Sequence, residues 1–246
     1  MLKYIEINWL NEEVIETHRY HVAFEDVKSH NTIEEQKKRD ERLSLVKFFN
    51  DYENDLFLEI CSRFKSNDEF FCYDKNKKFH TTLLGFPVID SSNYQAVREK
   101  IEQYSEGKEV AKNIKFDLVR LGTKYEDGNS LKPVHGVSNG TIIGYGDNPQ
   151  NRHFTTFGNK LASFLLEDEV LNSILGNKFR RRFPTVWCTM GYYTKDFKIT
   201  IKLEKLFNEY KNLDSNNFYI SCSELELGTS NYKDLRDWKR IQKYSI

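Results

Sequence analysis

His80 and Thr82 stand two residues apart in Phe79-His80-Thr81-Thr82-Leu83-Leu84-Gly85-Phe86. Side chains two apart on a strand share a face, so an imidazole and a hydroxyl project together here. An imidazole moves protons near neutral pH, and a neighbouring hydroxyl can hold an oxygen on which negative charge builds. A second segment, Val186-Trp187-Cys188-Thr189-Met190-Gly191-Tyr192, repeats the pattern with Trp187 in place of the histidine and Thr189 in place of Thr82. Each segment leads through a helix-like stretch to a strand ending Leu-Gly-Thr, at Leu121-Gly122-Thr123 and Leu227-Gly228-Thr229. The offset from His80 to Trp187 is 107 residues, and from Gly122 to Gly228 it is 106. Two signals at nearly one offset argue for an internal duplication. Two such halves, facing each other, would bring both strands onto one ligand.

The elements that must position these strands follow from periodicity and punctuation. Residues 1–38 are polar and weakly patterned, apart from alternating Ile5, Ile7 and Trp9 and a capping-box pattern at Thr32-Ile33-Glu34-Glu35. Leu43, Val46, Phe49, Leu56 and Ile60 recur near helical spacing, which predicts a helix from Asp40 to Phe64. Strands are predicted at Glu69–Tyr73, Phe79–Phe86, Ile114–Leu121, Thr141–Tyr145, Thr185–Tyr193 and Phe218–Leu227. Helices are predicted from Ser91 or Ser92 to Tyr104, from Asn151 or Thr155 to Leu175 with Gly176-Asn177 as the stop, and from Phe197 to Tyr210. Lys124–Ser138 holds Gly, Asn, Asp and Pro and is predicted as a loop or hairpin insert. Tyr232–Ile246 is predicted as a short packing helix. The expected fold class is α+β: two pseudo-symmetric lobes of mostly antiparallel sheet with helices, facing across a central cleft. Residues 1–64 are expected as an N-terminal helical extension packed on a compact body of residues 65–246, since no Pro/Gly/Ser-rich linker separates the halves.

Composition narrows the classes. The 246 residues are 39% hydrophobic, enough for one large domain or two lobes sharing a core. Formal net charge is +0, which argues against broad, non-specific nucleic-acid binding but leaves room for a local basic cleft. No apolar run is long enough for a membrane span, and the N-terminal stretch lacks the apolar core of an export signal. Cys61, Cys72, Cys188 and Cys222 have no metal-ligand spacing and fall in predicted helix or strand, so a reducing, cytoplasmic setting is expected. No phosphate-binding loop, dinucleotide fingerprint or nucleophile elbow is present, and neither a metal nor a cofactor is expected.

The segment His80-Thr81-Thr82-Leu83, with its partner strand about a hundred residues later, resembles the 2H phosphoesterase superfamily over roughly residues 69–229. The resemblance implies two similar lobes, each giving a His-x-Thr or His-x-Ser strand to a central cleft. It implies metal-independent hydrolysis, or the reverse, at cyclic phosphodiesters and 2′,5′ linkages of nucleotides and RNA ends. His80 would then be general base or acid, and Thr82 and Thr189 would hold the phosphate. This chain departs from the family at Trp187, where the second motif has a histidine. Loss of one proton-transfer partner costs about 10²–10⁴-fold. Trp187 suits stacking on a base or sugar instead. A phosphate-bearing nucleotide or RNA end is the expected partner, bound with impaired or altered chemistry. The alternatives are a catalytically degenerate binding module of the same fold and a structural α+β interaction protein.

Other residues carry weaker signals. Arg182, in Arg180-Arg181-Arg182 just before the second motif strand, suits a phosphate at the cleft mouth and equally a solvated turn after a helix. Tyr192 continues the second motif strand as a substrate contact or proton donor. His135, between Pro133 and Gly136, is placed to reach over the cleft from the insert or to remain an exposed loop histidine. His153-Phe154-Thr155 repeats the literal motif but breaks the duplicated spacing, and reads as a helix start. Lys75, Lys77 and Lys78 form a basic turn before His80. His18-x-x-His21 lacks a third metal ligand nearby.

Overall fold

The computed structural model describes residues 20–21, 38–67, 71–72, 78–108, 113–116, 118–121, 124–127, 130–133, 141–146, 151–176, 179, 186–193, 202, 205–206, 209–210, 219–232 and 235–245. In chain order they form β1 (Tyr20–His21), β2 (Lys38–Phe48), α1 (Asp51–Asn67), β3 (Phe71–Cys72), β4 (His80–Gly85), a 3₁₀ turn (Ser91–Asn93), α2 (Tyr94–Ser105), β5 (Asn113–Lys115) and β6 (Leu118–Leu121). There follow β7 (Lys124–Asp127), β8 (Ser130–Pro133), β9 (Thr141–Gly146), α3 (Arg152–Glu167), α4 (Glu169–Leu175), β10 (Val186–Tyr193), β11 (Tyr219–Ser221), β12 (Glu224–Tyr232) and β13 (Lys239–Ser245). The fold is α+β. Two four-stranded antiparallel sheets, in the orders β13-β12-β2-β4 and β3-β10-β9-β6, carry the two motif strands. Smaller sheets are β1-β7-β8 and the pair β11-β5.

The helix predicted from Asp40 begins only at Asp51, and Lys38–Phe48 is a strand between β12 and β4. Leu43, Ser44, Leu45, Val46 and Lys47 are all buried, because β2 is covered on both faces. A strand covered on both sides loses the apolar–polar alternation that distinguishes it from a helix. The helix start has its own signature: Asn50 N donates to Glu53 Oε2 at 2.8 Å, and Glu53 N donates to Asn50 Oδ1 at 2.9 Å. This reciprocal capping box satisfies two otherwise orphaned donors. Glu53 Oε1 also accepts from Ser221 N at 2.6 Å, fastening β11 to the helix.

Four further predicted elements differ. Ile114–Leu121 and Phe218–Leu227 each divide into two strands, and the outer pieces β5 and β11 pair with each other. The long helix ending at Leu175 divides at Asp168, whose carboxylate caps α4 by accepting from Val170 N and Leu171 N. Tyr232–Ile246 holds strand β13 rather than a helix. The turn into it is closed by Asp237, which accepts from the Ser230 hydroxyl, Asn231 N and Asn231 Nδ2. Burial alone would raise the Asp237 carboxyl, but these hydrogen bonds outweigh it and hold it below the usual range.

The core joins the two sheets through four phenylalanines. Phe57 of α1 lies 4.9 Å from Phe49, 5.6 Å from Phe79 and 5.3 Å from Phe116, centroid to centroid. Phe49 and Phe79 end β2 and precede β4, and Phe49 N donates to Phe79 O. On the other side, a Cβ on Gly144 of β9 would lie 2.9 Å from Phe57 Cε1, so the absent side chain lets the ring seat against the second sheet. Tyr104 packs on Phe157, and Tyr244 Oη donates to Arg98 O, which ties α2 to α3 and β13. Asn151, fully buried, acts as one more strand: its Nδ2 donates to Lys115 O at 2.7 Å, and its Oδ1 accepts from Lys115 N at 2.8 Å.

Cys61, Cys188 and Cys222 are buried. Burial pushes the Cys222 thiol from its ordinary 9.0 up to about 12. Among the described residues no helix is long and apolar enough to cross a membrane.

Two outcomes follow for stability. Asn151→Ala strands both backbone groups of Lys115 and should cost ~2–4 kcal/mol, read by urea unfolding. Because Cys222 is held neutral in the fold, its contribution is complete below pH 9 and is lost as pH rises toward about 12. Cys222→Ala should therefore flatten the alkaline decline of stability across that window. An unchanged slope would show that the thiol does not govern it.

Candidate functional site

β4 is the edge strand of its sheet and begins at His80. Opposite it on β2, Phe48 pairs with His80, Lys47 with Thr81 and Val46 with Thr82. Phe79, Thr81 and Leu83 point inward with at most 1% exposure. His80 keeps 9%, and Thr82 is half-buried. The predicted parity is thus present, with imidazole and hydroxyl on the more open face. β10 shows the same alternation: Val186, Cys188 and Met190 are buried, and Trp187 and Thr189 are half-buried. Although they belong to different sheets, β4 and β10 lie directly against each other.

The two strands share an irregularity. Val46 pairs with Thr82 and Leu45 with Leu84, so Leu83 is an extra residue in β4. Thr189 pairs with Ile143 and Gly191 with Ile142, so Met190 is an extra residue in β10. Each motif strand therefore bulges one residue past its threonine. A bulge sharpens local twist and re-aims the neighbouring side chains, and bulges concentrate beside functional sites.

The neighbouring strands keep the same register. Thr82, Val46 and Glu226 form one row across β4, β2 and β12. Thr189, Ile143 and Arg120 form one row across β10, β9 and β6. In both sheets a motif strand and a Leu-Gly-Thr strand flank one antiparallel strand. The pairing is interleaved: the first motif strand, β4, shares its sheet with β12, and the second, β10, with β6, which ends at Leu121.

Around His80 the structure adds residues that the sequence reading missed. The Phe48 ring lies 5.7 Å from the imidazole at 56°. On its other side Phe48 meets Trp238 at 5.3 Å and 73°. Trp238 Nε1 donates to Glu226 Oε2 at 3.0 Å, and Arg240 pairs with Glu226 Oε1 at 3.4 Å. Phe48 was hidden inside the supposed helix, and Trp238 inside a supposed C-terminal helix. Only the strand pairing of β2, β12 and β13 brings them to His80.

The remaining candidates divide. His153 lies in the first turn of α3 and is exposed, as a helix-start residue should be. Tyr192 is described by its backbone alone, which pairs with Cys72 and Thr141. Arg180, Arg181, Arg182, His135, Lys75, Lys77 and His18 lie outside the described residues, as do Gly122, Thr123, the Thr32–Glu35 capping box and most of the predicted helix Phe197–Tyr210. Among the described residues no group of three His, Cys, Asp or Glu side chains is arranged to hold a metal ion. The grouping at β4 and β10 can supply one imidazole, two threonine hydroxyls and an indole.

The inward face gives a separate test of this geometry. Thr81 Oγ1 is buried with no hydrogen-bond partner among the described residues. Thr81→Val removes that hydroxyl and should leave thermal stability equal or raise it by about 1 kcal/mol, without touching ligand binding. A clear loss of binding in Thr81→Val would mean that the strand presents its other face. Compared with family models and with curated proteins, the chain matches none.

Proposed function

We propose that this chain binds a phosphate-bearing nucleotide or RNA end where β4 and β10 meet, and acts there through His80 as a phosphoesterase or cyclic phosphodiesterase of weakened or altered chemistry. One observation carries the reading: the two motif strands lie together and bulge at equivalent residues, Leu83 and Met190. A chance His-x-Thr would have no reason to share a bulge and a row register with a segment 107 residues away. The same features support two related lobes in one chain.

In this reading water attacks phosphorus, and His80 takes its proton as the new P–O bond forms. Thr82 and Thr189 donate to the non-bridging oxygens, where charge builds. One ring P–O bond of a cyclic phosphodiester then breaks. The leaving oxygen takes a proton from solvent, because an indole N–H at Trp187 donates a hydrogen bond but does not release its proton near neutral pH. The Trp187 ring covers the sugar or base instead. A second reading, a degenerate binding module of the same fold, is favoured by that same residue.

Hydrolysis of 2′,3′-cyclic nucleotides, and of an RNA oligomer ending in a 2′,3′-cyclic phosphate, separates these. His80→Ala should lower turnover by about 10²-fold or more, and Trp187→His should raise it by a similar factor by restoring the second proton-transfer group. Binding without turnover, weakened by Trp187→Ala, would select the binding module. Equal turnover in wild type and His80→Ala would overturn the assignment of His80.

A further inference from the structure

Trp238 lies on the His80 face of the first sheet. Glu226, Val46 and Thr82 form one row there, and Phe48 pairs with His80 in the next. Gly228 sits two residues beyond Glu226 on the same strand, and so faces the same way. A Cβ built on Gly228 would lie 2.6 Å from Trp238 Cζ2 and 2.7 Å from Cε2. The glycine of the second Leu-Gly-Thr segment therefore makes room for the indole and for Lys239 O, which would lie 2.5 Å from that Cβ. Any side chain at Gly228 would lift the ring away.

The ring is fixed in its own plane as well. Its Nε1 donates to Glu226 Oε2, and Arg240 holds the other carboxylate oxygen. Phe48, on the neighbouring strand, packs on it at 73° with the centroids 5.3 Å apart. The Asp237 clamp and the bond from Trp238 N to Leu235 O fix its backbone. The ring packs against Gly228, its Nε1 is bonded, and the residue stays half-buried. A ring held in this way is already oriented, so a stacking partner need not order it.

We propose that this half-buried ring seats a second nucleobase, so that the ligand is a dinucleoside phosphodiester or a longer RNA end rather than a mononucleotide. The inference rests on the reading of His80, Thr82 and Thr189 as the phosphate site. Trp187 takes the base on one side of the phosphate and Trp238 the base on the other. Two ring-to-ring steps of 5.7 and 5.3 Å, through Phe48, link the His80 imidazole to the Trp238 indole, so the two rings lie within about 11 Å of each other. Stacking on an aromatic ring accepts any base, so this subsite selects length and not sequence.

The test compares binding of adenylyl-adenosine with that of adenosine 3′-phosphate. The dinucleotide should bind about tenfold or more tightly. Trp238→Leu should bring that ratio down toward one, and Trp238→Phe should keep most of it. Should Trp238→Leu not fold, a protein with Trp9→Phe and Trp187→Phe leaves Trp238 as the sole indole. Its fluorescence should then be quenched by the dinucleotide and much less by the mononucleotide. A ratio near one in wild type, a ratio unmoved by Trp238→Leu, or no selective quenching would overturn the second-base subsite while leaving the phosphate site standing. Binding of neither compound would remove both.

Discussion

The contact on which the rest depends is the cluster of Phe49, Phe57, Phe79 and Phe116. It is the place where the two sheets and α1 share one core. Aromatic pairs at these separations contribute about 0.5–1.5 kcal/mol each beyond the area they bury. Their larger effect is positional. Phe79 immediately precedes His80, and Phe49 immediately follows Phe48, so the same rings that close the core set where the motif strand begins. Gly144 lets the cluster reach the second sheet at the strand beside β10. A shift of the cluster would move both motif strands together and so preserve their mutual placement.

Sequence reading located β4 and β10 because each alternates cleanly over a few residues and is bounded by turn chemistry. His80 and Thr82, like Trp187 and Thr189, fall on the less buried face that this alternation demands. β2 was hidden for the opposite reason. Leu43, Leu45 and Val46, covered on both sides, give a run of burial with no period of two. The Asn50–Glu53 capping box marked the true helix start, but the apparent periodicity ran through it. Tyr232–Ile246, predicted as a packing helix, holds a hairpin turn in which Asp237 binds Ser230 and Asn231.

The bulges were legible only as a trace. Alternation through Thr82 gives way to the adjacent buried pair Leu83 and Leu84, and Met190 is followed by buried Gly191. A double burial after strict alternation is what an extra residue in a strand produces, but the pairing partner decides it. Phe48, Glu226 and Trp238 were beyond reach because their nearness to His80 comes from strand order. Sequence distance between Phe48 and Trp238 gives no hint that the rings touch.

That strand order has a consequence for how the molecule comes into being. The sheet presenting His80 is assembled from β2, near the start of the chain, β4, and then β12 and β13 at its end. As the chain leaves the ribosome, β2 and β4 can pair early, but β2 keeps an open edge until β12, about 175 residues further on, has been made. Long-range pairing of this kind pays its loop-closure entropy late and folds slowly. Until then the exposed edge of β2, flanked by Leu43, Leu45 and Val46, is a template for mispairing with other chains. The interleaving that joins the two motif strands thus makes the nascent protein a natural client for whatever shields unpaired strands in the cell.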